Sequence, residues 1–448
     1  MGASEKYIRM TQTPVRRLIC ELAIPTILTM LVTSFYNMAD TFFVGKINTS
    51  ATAAVGVVFA VMSLIQAAGF LFGQGSSIYL SRKLGEQNRQ AASEMAATGF
   101  FVSLMAGVLM AVIGIRFVQP LARMLGATPT ILPYAVDYLR IILFGAPFMM
   151  TSLCLNNQLR FQGSAVYGMI GMVSGSVLNI VLDPILIFGF GMGIRGAAAA
   201  TVFSQFVSLL LLLFGTTRSG NLRIHPSCFR PSLSLLLSMM KNGLPSLARQ
   251  GIASIATIAL NVAANPYGDA AIAAMSVVSR LMMFLCSALI GFGQGFQPVC
   301  SFNYGAKIYS RVREGFRFCV RTALVFTVIV GAAVFLGAEQ VVALFRADDP
   351  EVIRIGALAL RLECVMMPTF SWNVLGNMML QSSGLSFRAT VLASARQGLC
   401  FLPLILILPA WLGLLGVQLA QPCANLLTFL LSVVMTMDML RRLPPDGT

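Results

Sequence analysis

Two carboxylates stand where carboxylates are rare. Asp40 lies late in a long apolar run, within Tyr36-Asn37-Met38-Ala39-Asp40. Asp183 lies inside another, within Asn179-Ile180-Val181-Leu182-Asp183-Pro184. A charge in hydrocarbon is costly, so an acid placed there is by default a functional group. Asn179 and Asp183 are four residues apart and share one helix face. Pro184 removes a backbone hydrogen bond beside them and can bend the helix. Two carboxylates with nearby amides offer oxygens to a proton or a sodium ion. The bland alternative is that Asp40 sits near the outer interface and caps its helix. A third internal acid, Glu363, stands close to Arg361. It reads as an ion-pair partner for Arg361, Arg249 or Arg280, with a coupling acid as the other reading.

The elements that position these groups follow from composition. The chain has 448 residues, 57% apolar and only 10% charged. Its mean hydropathy is +0.81. Soluble domains carry about 25% charge, so a soluble enzyme, a disordered chain and a secreted disulfide scaffold are excluded. The apolar runs are long and continuous, which also excludes the short alternating strands of a membrane barrel. Nine scattered cysteines read as small buried hydrophobes. The sole histidine, His225, lies in a basic loop, so no metal site is expected.

Twelve spans are expected, at about 18–45, 51–77, 95–117, 131–155, 166–190, 195–215, 244–265, 270–298, 318–337, 353–379, 389–410 and 413–437. The fold class is therefore all-α integral membrane. The net charge of +15 reads as a topology signal rather than a nucleic-acid footprint. Basic residues crowd alternate loops, from Lys6 and Arg16 through Arg82, Arg160, Arg218, Lys307 and Arg388 to Arg442. The opposite loops hold only Lys46, Arg116, Arg123, Arg195, Arg346 and Arg354. Both termini are expected in the cytoplasm of an inner or plasma membrane.

The halves repeat. Gly73-Gln74-Gly75 returns as Gly293-Gln294-Gly295, 220 residues later. The same offset carries Pro25 onto Pro245 and Gly85 onto Gly305. With one inserted residue, Arg140 maps onto Arg361 and Asn156 onto Asn377. Six spans per copy give a parallel repeat, and such folds place substrate between the repeats. The expected organisation is a six-helix lobe at 1–215, a linker at 216–243 and a second six-helix lobe at 244–448.

The first span, Pro25 through Tyr36-Asn37-Met38-Ala39-Asp40-Thr41-Phe42-Phe43-Val44-Gly45, resembles the first helix of multidrug and toxic compound extrusion (MATE) transporters. The paired Gly-Gln-Gly elements resemble that family's motifs in its second and eighth helices. The likeness covers essentially the whole chain and is closest to a prokaryotic branch, sometimes called DinF-like, with an acidic cluster in the first lobe. The resemblance implies a cation site at Asp40, Asn179, Asp183 and Thr201, with Tyr36, Tyr138 and Asn156 at nearby polar positions. Another branch carries acids in its seventh and tenth helices. Here the seventh offers Arg249 and Gln250, and the tenth offers Glu363, then Trp372 and Asn373.

Together these readings lead to an expected secondary-active exporter of amphipathic organic compounds, coupled to inward H⁺ or Na⁺ by alternating access. It would act as a monomer without a cofactor, a resident metal or nucleic acid, with Na⁺ held only transiently at Asp40 and Asp183. Cavity candidates are Tyr36, Asn37, Tyr138, Asn156, Met149, Arg249, Arg361 and Glu363. Methionines such as Met149 give an adaptable lining, although core packing is the main role for most of them. The internal arginines Arg249, Arg280, Arg361 and Arg396 fit a flippase of lipid-linked precursors better than a pump for cations. A channel or membrane enzyme is the remaining class. No phosphate-binding loop, nucleophile elbow or zinc spacing is present to support an enzyme.

Overall fold

The computed structural model describes residues 2–218, 220–345 and 349–447. Arg346, counted above among the loop cations, lies outside the described residues. Sixteen α-helices occur among the described residues. They are α1 (Ala3–Gln12), α2 (Val15–Gly45), α3 (Thr49–Gly85), α4 (Arg89–Arg116), α5 (Val118–Met124), α6 (Leu132–Phe161), α7 (Ala165–Pro184) and α8 (Ile194–Thr216). The second half holds α9 (Leu233–Ala264), α10 (Asp269–Gly305), α11 (Tyr309–Leu336), α12 (Ala338–Ala343), α13 (Pro350–Ser382), α14 (Ser386–Ser394), α15 (Phe401–Leu412) and α16 (Leu414–Arg442).

Among the described residues, eleven helical segments are long and apolar enough to cross a membrane, with α14 and α15 counted as one segment. The expected tenth span, α13, is missing from that set although its 33 residues would cover about 50 Å at 1.5 Å each. Its centre carries Arg361, Glu363, Ser371, Asn373 and Asn377. It is polar because it is an inner helix, with most of its second half buried against neighbours. Two crossings are broken by π-helical turns, Ile185–Gly189 after Pro184 and Ala395–Leu399 between α14 and α15. Such turns release a backbone carbonyl and often mark functional sites.

The expected linker at 216–243 is partly helical. Helix α9 begins at Leu233, capped by Ser232, whose hydroxyl accepts from Leu235 N at 3.1 Å. Lys241, which looked like loop composition, lies inside this helix. Arg160 is likewise not a loop cation. It is in α6 and only 2% exposed.

Both chain ends lie on the face that carries the linker. Lys6 of α1 donates to Ser164 Oγ at 2.7 Å and also to Asn221 of the linker. Burial, with Arg89 and Arg9 nearby, pushes its ammonium down to about 8. At the other end Gly447 N donates to Lys307 O at 2.9 Å.

The halves interlock near this face by exchanging the first turns of their leading helices. Leu18, Ile19 and Leu22 of α2 pack in the core of the second half. Their repeat mates on α9 include Met239, which packs with Leu235 in the core of the first half. Backbones meet here directly. A Cβ added at Gly75 would stand 2.0 Å from Met239 O, and one at Gly295 would stand 2.5 Å from Ala23 Cα. Gly85 and Gly305 meet the backbones of Phe302 and Arg82 at 2.1 Å in the same sense. These pairs are related by the 220-residue offset, so a pseudo-twofold axis passes between Gly85 and Gly305. Thr26 adds a bond across the halves, its hydroxyl reaching Gly291 O at 2.7 Å. Farther from this face, Gly45, Gly56 and Gly251 on the same helices face open space.

A backbone wall cannot move aside as a flexible side chain can. Gly75→Ala and Gly295→Ala should therefore part the halves at the linker face. Spin-label distances between Gln90 and Glu314 should lengthen in both variants. An unchanged distance distribution would show that close glycine packing does not hold this face shut.

Candidate functional site: buried carboxylates in the first half

Helices α2, α7 and α8 of the first half, with Tyr138 from α6, bring the candidate residues together. Asp40 on α2 is 9% exposed, Asp183 on α7 is 0%, Asn179 on α7 is 2% and Thr201 on α8 is 2%. The shared face of Asn179 and Asp183 turns inward, as their spacing requires. The Asn179 amide has one orientation that satisfies its neighbours. Its nitrogen donates to Asp183 Oδ2 at 3.0 Å, and its oxygen accepts from Thr201 N at 3.1 Å and from Thr201 Oγ1 at 3.2 Å. The two carboxylates lie within electrostatic range of each other. Tyr36 and the fully buried Tyr138 stand within range of both acids.

Each carboxylate keeps one oxygen unsatisfied. Asp40 Oδ1 and Asp183 Oδ1 are buried and have no hydrogen-bond partner. An unpaired buried acceptor costs about 1–3 kcal/mol, more when charged. Like charges at close range add to that cost. A proton or a small cation between these groups would relieve both penalties. Among the described residues, no group of three or more His, Cys, Asp or Glu could hold a resident metal ion.

The remaining candidates scatter. Asn37 is exposed on α2. Asn156 packs its side chain against Gly168 of α7. Met149 is 8% exposed and belongs to the first half's core. Glu363 is buried but does not pair with Arg361. Arg361 turns outward to Glu339 at 3.1 Å, because positions two apart on a helix point in different directions. Glu363 instead accepts from Asn425 Nδ2 at 3.2 Å and feels the charge of Arg396. Arg280 is exposed. Arg396 lies on the second π-helical turn, 4.0 Å over the ring of Phe370.

A buried polar relay was not anticipated from the sequence. Gln74 donates to Asn157 Oδ1 at 3.0 Å. Arg160 donates to the same oxygen and, across the halves, to Gln294 Oε1. The glutamines of the two Gly-Gln-Gly elements are thus joined through one arginine. Arg249 lies within electrostatic range of both Arg160 and Arg396. The signal was present in the repeated glutamines, but Arg160 was hidden by its place beside a loop.

Two helical halves, closed at one face and carrying buried ionisable groups inside a membrane, define a multi-pass membrane transporter rather than an enzyme. The family model MatE matches twice, at residues 25–185 and 245–407. The chain belongs to the MATE family of transporters. It is 25% identical over 447 residues to the multidrug export protein MepA of Staphylococcus haemolyticus, covering 99% of this chain and 98% of that protein. A crystal structure of MATE in complex with MaL6 superimposes with a TM-score of 0.93 at 27% identity, over 97% of this chain and 98% of that one. An outward-facing multidrug resistance MATE transporter of the MOP superfamily gives 0.92 at 27% identity, over the same shares.

The Asn179 geometry sets an order of costs. Asn179→Leu removes the donor to Asp183 and should destabilise the fold by about 1–3 kcal/mol. Thr201→Val should cost less, because the Asn179 oxygen keeps the Thr201 backbone N–H. Thermal unfolding in detergent would check this, and the reverse order would refute the amide assignment.

Proposed function

We propose that the protein is a secondary-active exporter of amphipathic organic compounds, driven by inward movement of H⁺ or Na⁺. The observation that carries this reading is the pair of unsatisfied buried oxygens on Asp40 and Asp183. Binding of the ion neutralises charge there and favours one packing of α2, α7 and α8. It shifts the conformational balance only by its differential affinity for the two states. Two lobes, 1–215 and 244–448, rock about the connection between them. The linker-side closure is the outward-open member of the cycle, in keeping with the likeness to an outward-facing relative. The protein acts as a monomer in the plasma membrane, with both termini and the linker in the cytoplasm. Its relatives' role in multidrug export supports the substrate class.

A second reading rests on one observation. Buried Arg249 lies within electrostatic range of both Arg160 and Arg396, a chain of cations inside the protein. Such a field favours anionic substrates, as in a flippase for lipid-linked precursors.

Reconstituted protein in vesicles separates the readings. Dye efflux should follow an imposed pH or Na⁺ gradient, and Asp40→Asn and Asp183→Asn should each abolish that coupling at normal expression. Full gradient-driven efflux by both variants would overturn the ion site. Dye-independent translocation of a lipid-linked precursor, with no response to either gradient, would favour the flippase.

A further inference from the structure

We propose that a groove between α2 and α11 binds the phosphate headgroup of an anionic phospholipid at the linker face of the membrane. Arg313, Arg317 and Arg321 recur every four residues, so they form one stripe down α11. Arg16 reaches the same groove from the start of α2, and the cavity they line holds about 570 Å³. Four cations face one lining acid, Glu314, which stands 4.0 Å from Arg16. The nearby Asp446 offsets charge only at the Arg313 end of the stripe. It accepts from Ser310 N at 2.8 Å and from the Ser310 hydroxyl, and these bonds hold its carboxyl below the usual carboxylate range. Arg313 donates to the carbonyls of Leu443 and Pro444. Arg317 and Arg321 are exposed.

Like charges four apart on a helix repel. With only Glu314 and Asp446 beside four arginines, the site keeps a net positive charge that an anion from outside would offset. The continuation of the same face says which kind. Beyond Arg321 the exposed residues include Leu324, Val325, Val328 and Ile329, at 42%, 59%, 48% and 63%. A charged stripe that runs into an apolar one along a membrane helix matches a headgroup followed by its acyl chains. Basic pockets between membrane helices bind lipid phosphates in this way. The fold alone does not explain the stripe. The repeat mates of Arg16, Arg313, Arg317 and Arg321 are Leu236, Ser93, Ala97 and Phe101, all uncharged.

The test uses the full chain in neutral detergent, titrated with phosphatidylglycerol, phosphatidylcholine or inorganic phosphate and read by native mass spectrometry and thermal unfolding. Phosphatidylglycerol should bind and raise Tm, whereas the other two should not. Arg317→Gln and Arg321→Gln, each at an exposed position, should weaken phosphatidylglycerol by about fivefold singly and by more than about tenfold together. Arg116→Gln with Arg123→Gln, near the opposite face, should leave binding unchanged. Equal binding of phosphatidylcholine, equal protection by inorganic phosphate, or undiminished binding by the double variant would each overturn the proposal.

Discussion

Inside a bilayer, lipid tails are as apolar as leucine, so burial of apolar side chains does little to hold helices together. What joins the two halves of this protein is the direct approach of backbones at paired glycines. Gly75 against Met239 and Gly295 against Ala23 leave no room for a single methyl group. Everything at the linker face follows from that closeness. The leading helices exchange their first turns, Thr26 reaches a carbonyl of the opposite half, and Arg160 comes within reach of Gln294. Large side chains such as Leu18, Ile19, Leu22 and Met239 then pack around that backbone contact, each in the core of the opposite half.

The charges inside the bundle are divided between the halves. The first half holds Asp40 and Asp183, close together and each with an unsatisfied oxygen. The second half holds Arg249 and Arg396, with Glu363 bonded to Asn425 and near Arg396. Arg160 stands at the junction and links the repeated glutamines. The protein thus keeps its buried acids with unpartnered oxygens in the first half and most of its buried arginines in the second.

Several parts of this arrangement were legible in the sequence. The repeat could be read from the 220-residue spacing of Gly73-Gln74-Gly75 and Gly293-Gln294-Gly295. Asp40 and Asp183 stood out because so few acids interrupt the apolar runs. The second half was harder. Arg361 and Glu363 are neighbours in sequence, yet they point apart, because an ion pair depends on helix phase. Arg160 reads as a loop cation in sequence, which places it within a turn of the helix end and does not show what lies beside it.

By itself, the sequence determined the membrane-spanning helices, their duplication and the identity of the intramembrane acids. These are properties of composition and period, which act locally along a chain. Only the tertiary structure decided which oxygens lack partners, which glycines meet the opposite half, and which cation faces Glu363. Those outcomes depend on the rotation and closest approach of helices far apart in sequence. The side chains and backbone walls of their neighbours fix both.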